Sequence, residues 1–300
     1  MSLPPPGLPP EVFARSRAKA VAAELAQQTD RKLQAALLFE LGALSELRLG
    51  EREQAGDYYR EAAERDPTFR PALLALARMQ RESRDDEALL VTLAKLAHHA
   101  VHGKERASAL VDMGCLLEDQ LGDGPGAQAA FDRALEADPS NLAASLMRER
   151  ALLMQQHRSA AARLVARRAS HTEDPKLRSA LAVEAARDIA ADGDIDTATE
   201  VLLTAMAAPS RKLPLLLCLA DLAQRHGRMW VAARAHEDIG ALLAGFAADQ
   251  TGPEPLEIAT RFPSRESANR AAAYYYHAAA RLHVQASEQS EDAVTALERA

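Results

Sequence analysis

The chain copies itself at a step of 72 residues, and no other feature constrains its fold as tightly. Leu41-Gly42, Gly50, Ala55, Tyr59, Ala62 and Asp66-Pro67 return as Met113-Gly114, Gly122, Ala127, Phe131, Ala134 and Asp138-Pro139. A fixed period of small residues, one aromatic and a closing proline marks a solenoid of helical hairpins. In such an array each unit buries its apolar face only by stacking on its neighbours. A solenoid is a surface for holding other molecules, so binding is weighed ahead of catalysis.

Composition points the same way. Apolar residues are 48% of the chain and aromatic residues only 4%. The apolar share is mostly Ala and Leu, strong helix formers, with few of the β-branched and aromatic residues that strands prefer. An all-α chain is therefore expected. A net charge of −7 argues against non-specific nucleic-acid binding, which needs a positive footprint. The only two cysteines, Cys115 and Cys218, make no disulfide framework, and a reducing compartment is the simplest reading. Residues 1–10 hold five prolines and no apolar run, so they are not a signal peptide. No stretch is long and apolar enough to cross a membrane. The sequence thus reads as a soluble, cytoplasmic protein with no membrane partner.

Helical segments alternate with short breaks. Glu11 to Gln28 reads as one helix, and Arg31 to Leu49 as a second, closed by Gly50. Glu51 to Arg65 returns antiparallel and stops at Asp66-Pro67, because proline disfavours helical geometry in the residue before it. Five further pairs of segments follow: Pro71–Glu82 with Asp85–Ala100, Lys104–Leu121 with Pro125–Ala137, Leu142–Gln156 with Ser159–Ser170, Lys176–Ala191 with Ile195–Ala207, and Leu215–His226 with Met229–Phe246. Each 72-residue step is two hairpins. The expected organisation is a disordered proline-rich start over 1–10, a repeat array over 11–247, a linker over 248–264, and a further hairpin over 265–300. That last hairpin stops inside its second helix, so the chain is read as the N-terminal part of a longer repeat protein.

These residues resemble the tetratricopeptide repeat (TPR) family. Its pattern is a large residue and a Leu-Gly-like pair in the first helix, a turn glycine, then Ala, aromatic and Ala in the second helix, and a closing proline. The third hairpin matches with Leu110, Met113-Gly114, Gly122, Ala127, Phe131, Ala134 and Pro139; the first matches with Leu38, Leu41-Gly42, Gly50, Ala55, Tyr59, Ala62 and Pro67. The fifth supplies Ala186, Gly193, Ala198, Leu202 and Ala205. The sixth supplies Leu219-Ala220, Gly227 and Ala232, with His236 where an aromatic is usual. There are also departures. Hairpins one and three have eight residues from the Leu-Gly glycine to the turn glycine, one more than the common pattern, and Glu149 stands where a small residue is expected. The resemblance implies a right-handed α-solenoid of stacked antiparallel hairpins over about Asp30 to Phe246.

No constellation of catalytic chemistry emerges, and a non-enzyme without cofactor or metal is expected. His98, His99 and His102 are the densest histidine cluster, and His98 and His102 share a helical face. A zinc site needs a third ligand and a second shell, so solvated surface histidines are the preferred reading. His277 and His283 receive the same reading. Gly122-Asp123-Gly124-Pro125-Gly126 lacks the Lys-Ser/Thr of a phosphate-binding loop and falls where the repeat needs a turn. Cys115 reads as a buried, inert thiol. In the run Tyr274-Tyr275-Tyr276 at least one ring must face outward, since consecutive helical residues diverge by about 100°. Packing against a further repeat is the preferred account of the run.

The resemblance also implies a binding face. In the TPR family the first helices of successive hairpins line a concave groove for peptides or partner helices. The matching positions are Phe39, Ala43 and Glu46, then Leu74, Arg78 and Arg81, then Val111, Cys115 and Glu118, then Leu146 and Arg150. Such a lining suits an amphipathic protein segment of mixed charge. The carboxylate clamp of one branch of the family is argued against, because Phe39, Ala43, Val111 and Cys115 stand at its places. For each residue, packing on the adjacent helix is the competing account. Two functions follow: a non-catalytic protein-binding scaffold, or a recognition arm of a larger protein whose effector domain lies beyond residue 300.

Overall fold

The computed structural model describes residues 10–249, 258, 261–286 and 298–299. Residues 1–9 of the expected disordered start over 1–10, most of the 248–264 linker and most of the second helix of the last hairpin lie outside that set, whereas Pro10 already begins a helix. Every regular element among the described residues is helical. In order they are α1 (Pro10–Gln27), α2 (Arg31–Leu44), α3 (Arg52–Arg65), α4 (Arg70–Ser83), α5 (Asp86–His98), α6 (Gly103–Asp119) and α7 (Gly124–Ala137). Then come α8 (Leu142–Met154), α9 (Arg158–His171), α10 (Pro175–Ala191), α11 (Ile195–Ala207), α12 (Lys212–Arg225), α13 (Met229–Asp249) and α14 (Arg265–Ala286). The chain divides into two compact units, Met1–Ala144 and Ser145–Ala300.

In the first unit α2 pairs with α3, α4 with α5 and α6 with α7, and each first helix also packs on the second helix before it. Short aspartate-led turns set this grammar. Asp30, Asp85 and Asp123 accept hydrogen bonds from backbone N–H groups in the first turns of α2, α5 and α7, satisfying donors that a helix start leaves free. The Asp-Pro breaks are also copies of each other in geometry. Asp66 Oδ1 accepts from the Thr68 N–H at 2.9 Å and its hydroxyl at 2.7 Å, and Asp138 Oδ1 accepts from the Ser140 N–H at 3.0 Å and its hydroxyl at 2.6 Å. These side-chain turns mimic a backbone turn and aim the next helix back along the last.

The extra residue in hairpins one and three is taken up in a widened turn. After α2 the chain makes a π-helical turn, Ser45–Leu49, closed by the Gly50 N–H on the Ser45 carbonyl with Gly50 at φ +71°. At the end of α6 the Leu121 N–H reaches the Leu116 carbonyl, again five residues back, and Gly122 takes φ +66°. An inserted residue in a helix is normally absorbed as this i→i+5 bulge.

The repeat signature is a packing device. A methyl group added at Gly114 would stand 2.5 Å from the Phe131 ring, and one added at Gly42 would stand 2.5 Å from the Tyr59 ring. Each glycine is the slot into which the aromatic of the returning helix fits, with Ala127 and Ala134, or Ala55 and Ala62, fully buried on either side. Leu38, Leu73, Leu89, Leu93 and Leu110 complete this core. Burying each such side chain contributes about 1.5–3 kcal/mol.

The second unit uses the same scheme with other residues. Glu149, at the place of the small residue, forms a 2.6 Å ion pair with Arg168 of α9, which stands where hairpins one and three have Ala62 and Ala134. A small residue on each of the two helices has been replaced by one of two opposite charges in contact. Helices α9 to α13 enclose a core that includes Ile189, Leu202, Leu215, Ile239 and Leu243.

Helix α14 departs from the sequence reading. It packs along α13 and repeats the Ala-aromatic-Ala spacing as buried Ala272, Tyr276 and Ala279. Gly240 of α13 supplies the slot, since a methyl group there would stand 2.9 Å from the Tyr276 ring. Helix α13 is therefore packed by α12 and by α14, which its buried Ala232, Ala233, Ala235 and Ile239 allow. Of the tyrosine run, Tyr274 faces outward at 69% exposure, Tyr275 is half-buried and Tyr276 is buried. Tyr276 finds its packing partner within the chain rather than in a further repeat.

Candidate functional site

Helices α2, α4 and α6 of the first unit carry eight of the eleven residues that the resemblance marks for a binding face, and Glu46 follows α2 in the π-helical turn. They are tied to one another by charge. Glu46, in the π-helical turn, accepts from Arg78 of α4 at 2.6 Å and from the Tyr59 hydroxyl at 3.0 Å. Arg81 of α4 reaches Asp112 of α6 at 3.2 Å, and Arg70 lies 3.7 Å from Glu105. The charges expected to alternate along the face thus meet in pairs across successive first helices.

The apolar positions differ among themselves. Phe39 is half-buried in an aromatic cluster, its ring centroid 5.5 Å from Tyr59 and 5.7 Å from Phe69. Packing accounts for it fully. Leu74 is 47% exposed, one turn before Arg78, while Ala43 and Val111 are half-buried. Cys115 is half-buried and is not the buried thiol the sequence suggests. It borders a cleft of about 460 Å³ with Arg81, Asp112 and Asp119, because α6 turns this face outward between α4 and α5. Glu118 is half-buried on the same helix. Leu146 and Arg150 belong to the second unit, where with Glu149 and Met154 they line a shallow depression of about 450 Å³ on α8.

Electrostatics follow from these contacts. The Arg78 hydrogen bond, helped by Tyr59, holds the Glu46 carboxyl below the usual carboxylate range against the opposing effect of burial. Burial first, then the bond to Glu46, pushes the Tyr59 hydroxyl far above its ordinary value. A depressed carboxyl stabilises the fold above its unfolded pKa, and that contribution is lost as pH falls through the folded pKa. Glu46→Gln is therefore expected to lower the thermal midpoint at neutral pH, with the difference from the parent shrinking below about pH 4. Melting curves of both proteins from neutral to acid pH check this. A difference that persists unchanged in acid would show that the charge of Glu46 contributes nothing.

Two other sequence readings resolve here. His98 and His102 are exposed and His99 half-buried, and no group of three potential metal ligands occurs among the described residues. His277 is exposed, but His283 is only 3% exposed and is corrected from a solvated residue to a core one. Its Nε2 lies 3.1 Å from Glu237, itself 8% exposed, and its ring meets Trp230 at 5.0 Å. Sequence reasoning missed this pair, although a signal existed: His283 falls seven residues after Tyr276 and four after Ala279, on the buried stripe of α14. Cys218 is buried, and burial raises its thiol pKa, as an inert core cysteine requires.

The aromatic-in-glycine slots at Gly42, Gly114 and Gly240 decide what kind of hairpin this is. The hairpins are tetratricopeptide-like. Among solved structures, a tetratricopeptide repeat protein from Parabacteroides merdae is similar at 17% identity over 87% of this chain and 93% of its own, with a TM-score of 0.39. Human IFIT1, solved as a dimer with m7Gppp-AAAA, is similar at 15% identity over 95% of this chain and 72% of its own, with a TM-score of 0.25. The IFIT1 monomeric mutant with Gppp-AAAA gives 15% identity, 98% and 73% coverage, and a TM-score of 0.25. Neither a protein-family model nor a curated protein matches the chain. No helix among the described residues is long and apolar enough to cross a membrane.

Proposed function

We propose that the chain is a non-catalytic protein-binding scaffold that holds a partner segment on the α2–α4–α6 face. One observation carries this reading. Leu74, nearly half exposed, and half-buried Val111 stand beside the ion pairs Glu46–Arg78 and Arg81–Asp112. An apolar strip edged by both signs of charge suits an amphipathic segment of mixed charge, which would bury its apolar side and exchange partners with the edge. The compartment consistent with two unbridged cysteines is a reducing one such as the cytoplasm.

The test is capture from the native lysate with the 300-residue chain as bait. Leu74→Glu should reduce the recovery of a specific partner at least about tenfold, the scale expected when an apolar anchor is replaced by a charge at an interface. Arg60→Glu, whose parent side chain pairs among the described residues only with Asp57 on its own helix, should leave recovery unchanged. Leu74 is preferred to Phe39 because the Phe39 ring packs on Tyr59 and Phe69, so its replacement would also disturb the fold. Equal recovery with Leu74→Glu and with the parent, both folded by circular dichroism, would remove the face from consideration.

A further inference from the structure

The histidine cluster that sequence analysis set aside as solvated lies beside two arginines that sequence spacing does not bring to it. His98 at the end of α5, Arg106 in the first turns of α6 and Arg133 near the end of α7 line one cleft of about 360 Å³, with Glu136 at its edge and buried Ala97 and Leu110 as its floor. Gly103 makes the convergence possible. A side chain there would collide with the Ala137 carbonyl oxygen, so only glycine lets the start of α6 sit against the end of α7.

The charges in this cleft are not balanced by the protein. Several other arginines of the first unit meet carboxylates: Arg65 meets Glu61, Arg78 meets Glu46 and Arg81 meets Asp112. Arg106, Arg133 and Glu136 form no ion pair among the described residues. Helix polarity explains part of the arrangement, because cations are favoured at the C-terminal turns of α5 and α7. It does not explain Arg106, which stands near the N-terminal end of α6 where a cation is disfavoured. In a chain of net charge −7, three basic groups around one small cleft call for an anion.

We infer that this cleft is a binding site for a phosphate monoester, held by Arg106, Arg133 and His98. Two guanidinium forks present paired donors matched to phosphate oxygens, and the imidazole adds a third donor. Counting Glu136, the two arginines still leave the cleft net positive, as an anionic phosphate monoester requires. The cleft falls within the usual size of small-molecule sites, about 300–1,000 Å³, and exceeds what a bare phosphate needs. The organic part of the ligand would lie on Ala97 and Leu110. The same two guanidinium groups argue against a metal ion at this histidine cluster. The site lies apart from the α2–α4–α6 face and does not rest on the scaffold reading.

The test is calorimetric titration of the 300-residue chain at fixed ionic strength with phenyl phosphate, inorganic phosphate and benzoate. Saturable one-to-one binding of phenyl phosphate is expected, with inorganic phosphate competing more weakly. Arg106→Gln and Arg133→Gln should each weaken binding at least about tenfold, the loss of one charge-assisted bond. Arg133→Lys should fall between them and the parent, since it keeps the charge but not the fork. Arg60→Gln should bind as the parent does. Both cleft arginines are exposed, and unchanged circular dichroism would show that the variants fold. The inference is overturned by an absence of saturable binding, by binding that both glutamine variants retain, or by benzoate binding as tightly as phenyl phosphate.

Discussion

Gly114→Leu is expected to destabilise the first unit by about 3 kcal/mol, the upper end of the usual overpacking cost. The reason is geometric: even a methyl group at this position would stand 2.5 Å from the Phe131 ring, inside any real carbon–carbon contact. The ring has no free space to enter, because Phe131 is 1% exposed between Ala127 and Ala134. Phe131→Ala alone should cost about 3–5 kcal/mol by opening a cavity. Combined, the leucine would occupy part of the space the ring vacates, so the double variant should cost less than the sum by more than about 1 kcal/mol. Urea denaturation of the four proteins, followed by far-UV circular dichroism, measures all three quantities. Strict additivity would mean that Gly114 and Phe131 do not share one slot.

The second large effect is expected at the buried pair of α13 and α14. Glu237→Leu should cost about 3 kcal/mol or more, because it leaves His283 buried without its carboxylate partner. The Nδ1 of His283 is already buried without a partner, so the imidazole would be left with no polar contact at either nitrogen. Arg234 also touches Glu237 at 3.2 Å, but it is mostly exposed and its loss adds little. Replacing both partners, Glu237→Leu with His283→Phe, should restore most of the stability, because replacing both members of a buried hydrogen bond by apolar groups can be nearly neutral. The single tryptophan of the chain, Trp230, lies 5.0 Å from the His283 ring and gives a local fluorescence signal for this unit. If the double variant proves as unstable as Glu237→Leu, the penalty comes from shape rather than from an orphaned polar group.

Much of the architecture was legible because the repeat is written in local chemistry. Aspartate caps, turn glycines and Asp-Pro breaks act over two to four residues, and helix boundaries read from them fall within a few residues of the observed ones. The extra residue in hairpins one and three was visible as a count, but its outcome, a π-helical turn in hairpin one and in both a bond six residues back, from Glu51 to Ser45 and from Asp123 to Leu117, depends on which carbonyl the turn N–H finds. Glu149 was visible as an exception. Its reason was not, because Arg168 compensates it from the facing helix.

The binding face was less legible than the fold. Its positions carry over from the repeat register, which cannot tell Phe39, locked between Tyr59 and Phe69, from Leu74, open to solvent. Nor does register show that Glu46 and Arg78 occupy each other, since the pairing crosses 32 residues.

By itself the sequence determined the helical class, the period, the antiparallel pairing within hairpins and the glycine–aromatic signature. These follow from propensity, capping and spacing, which act between near neighbours along the chain. Only the tertiary structure decided that Tyr276 fits into Gly240 and that His283 is buried on Glu237. It likewise decided that Arg106 and Arg133 converge on His98. Each of these joins helices whose separation in sequence carries no periodic signal, and close packing between helices is what sets the partner of each side chain.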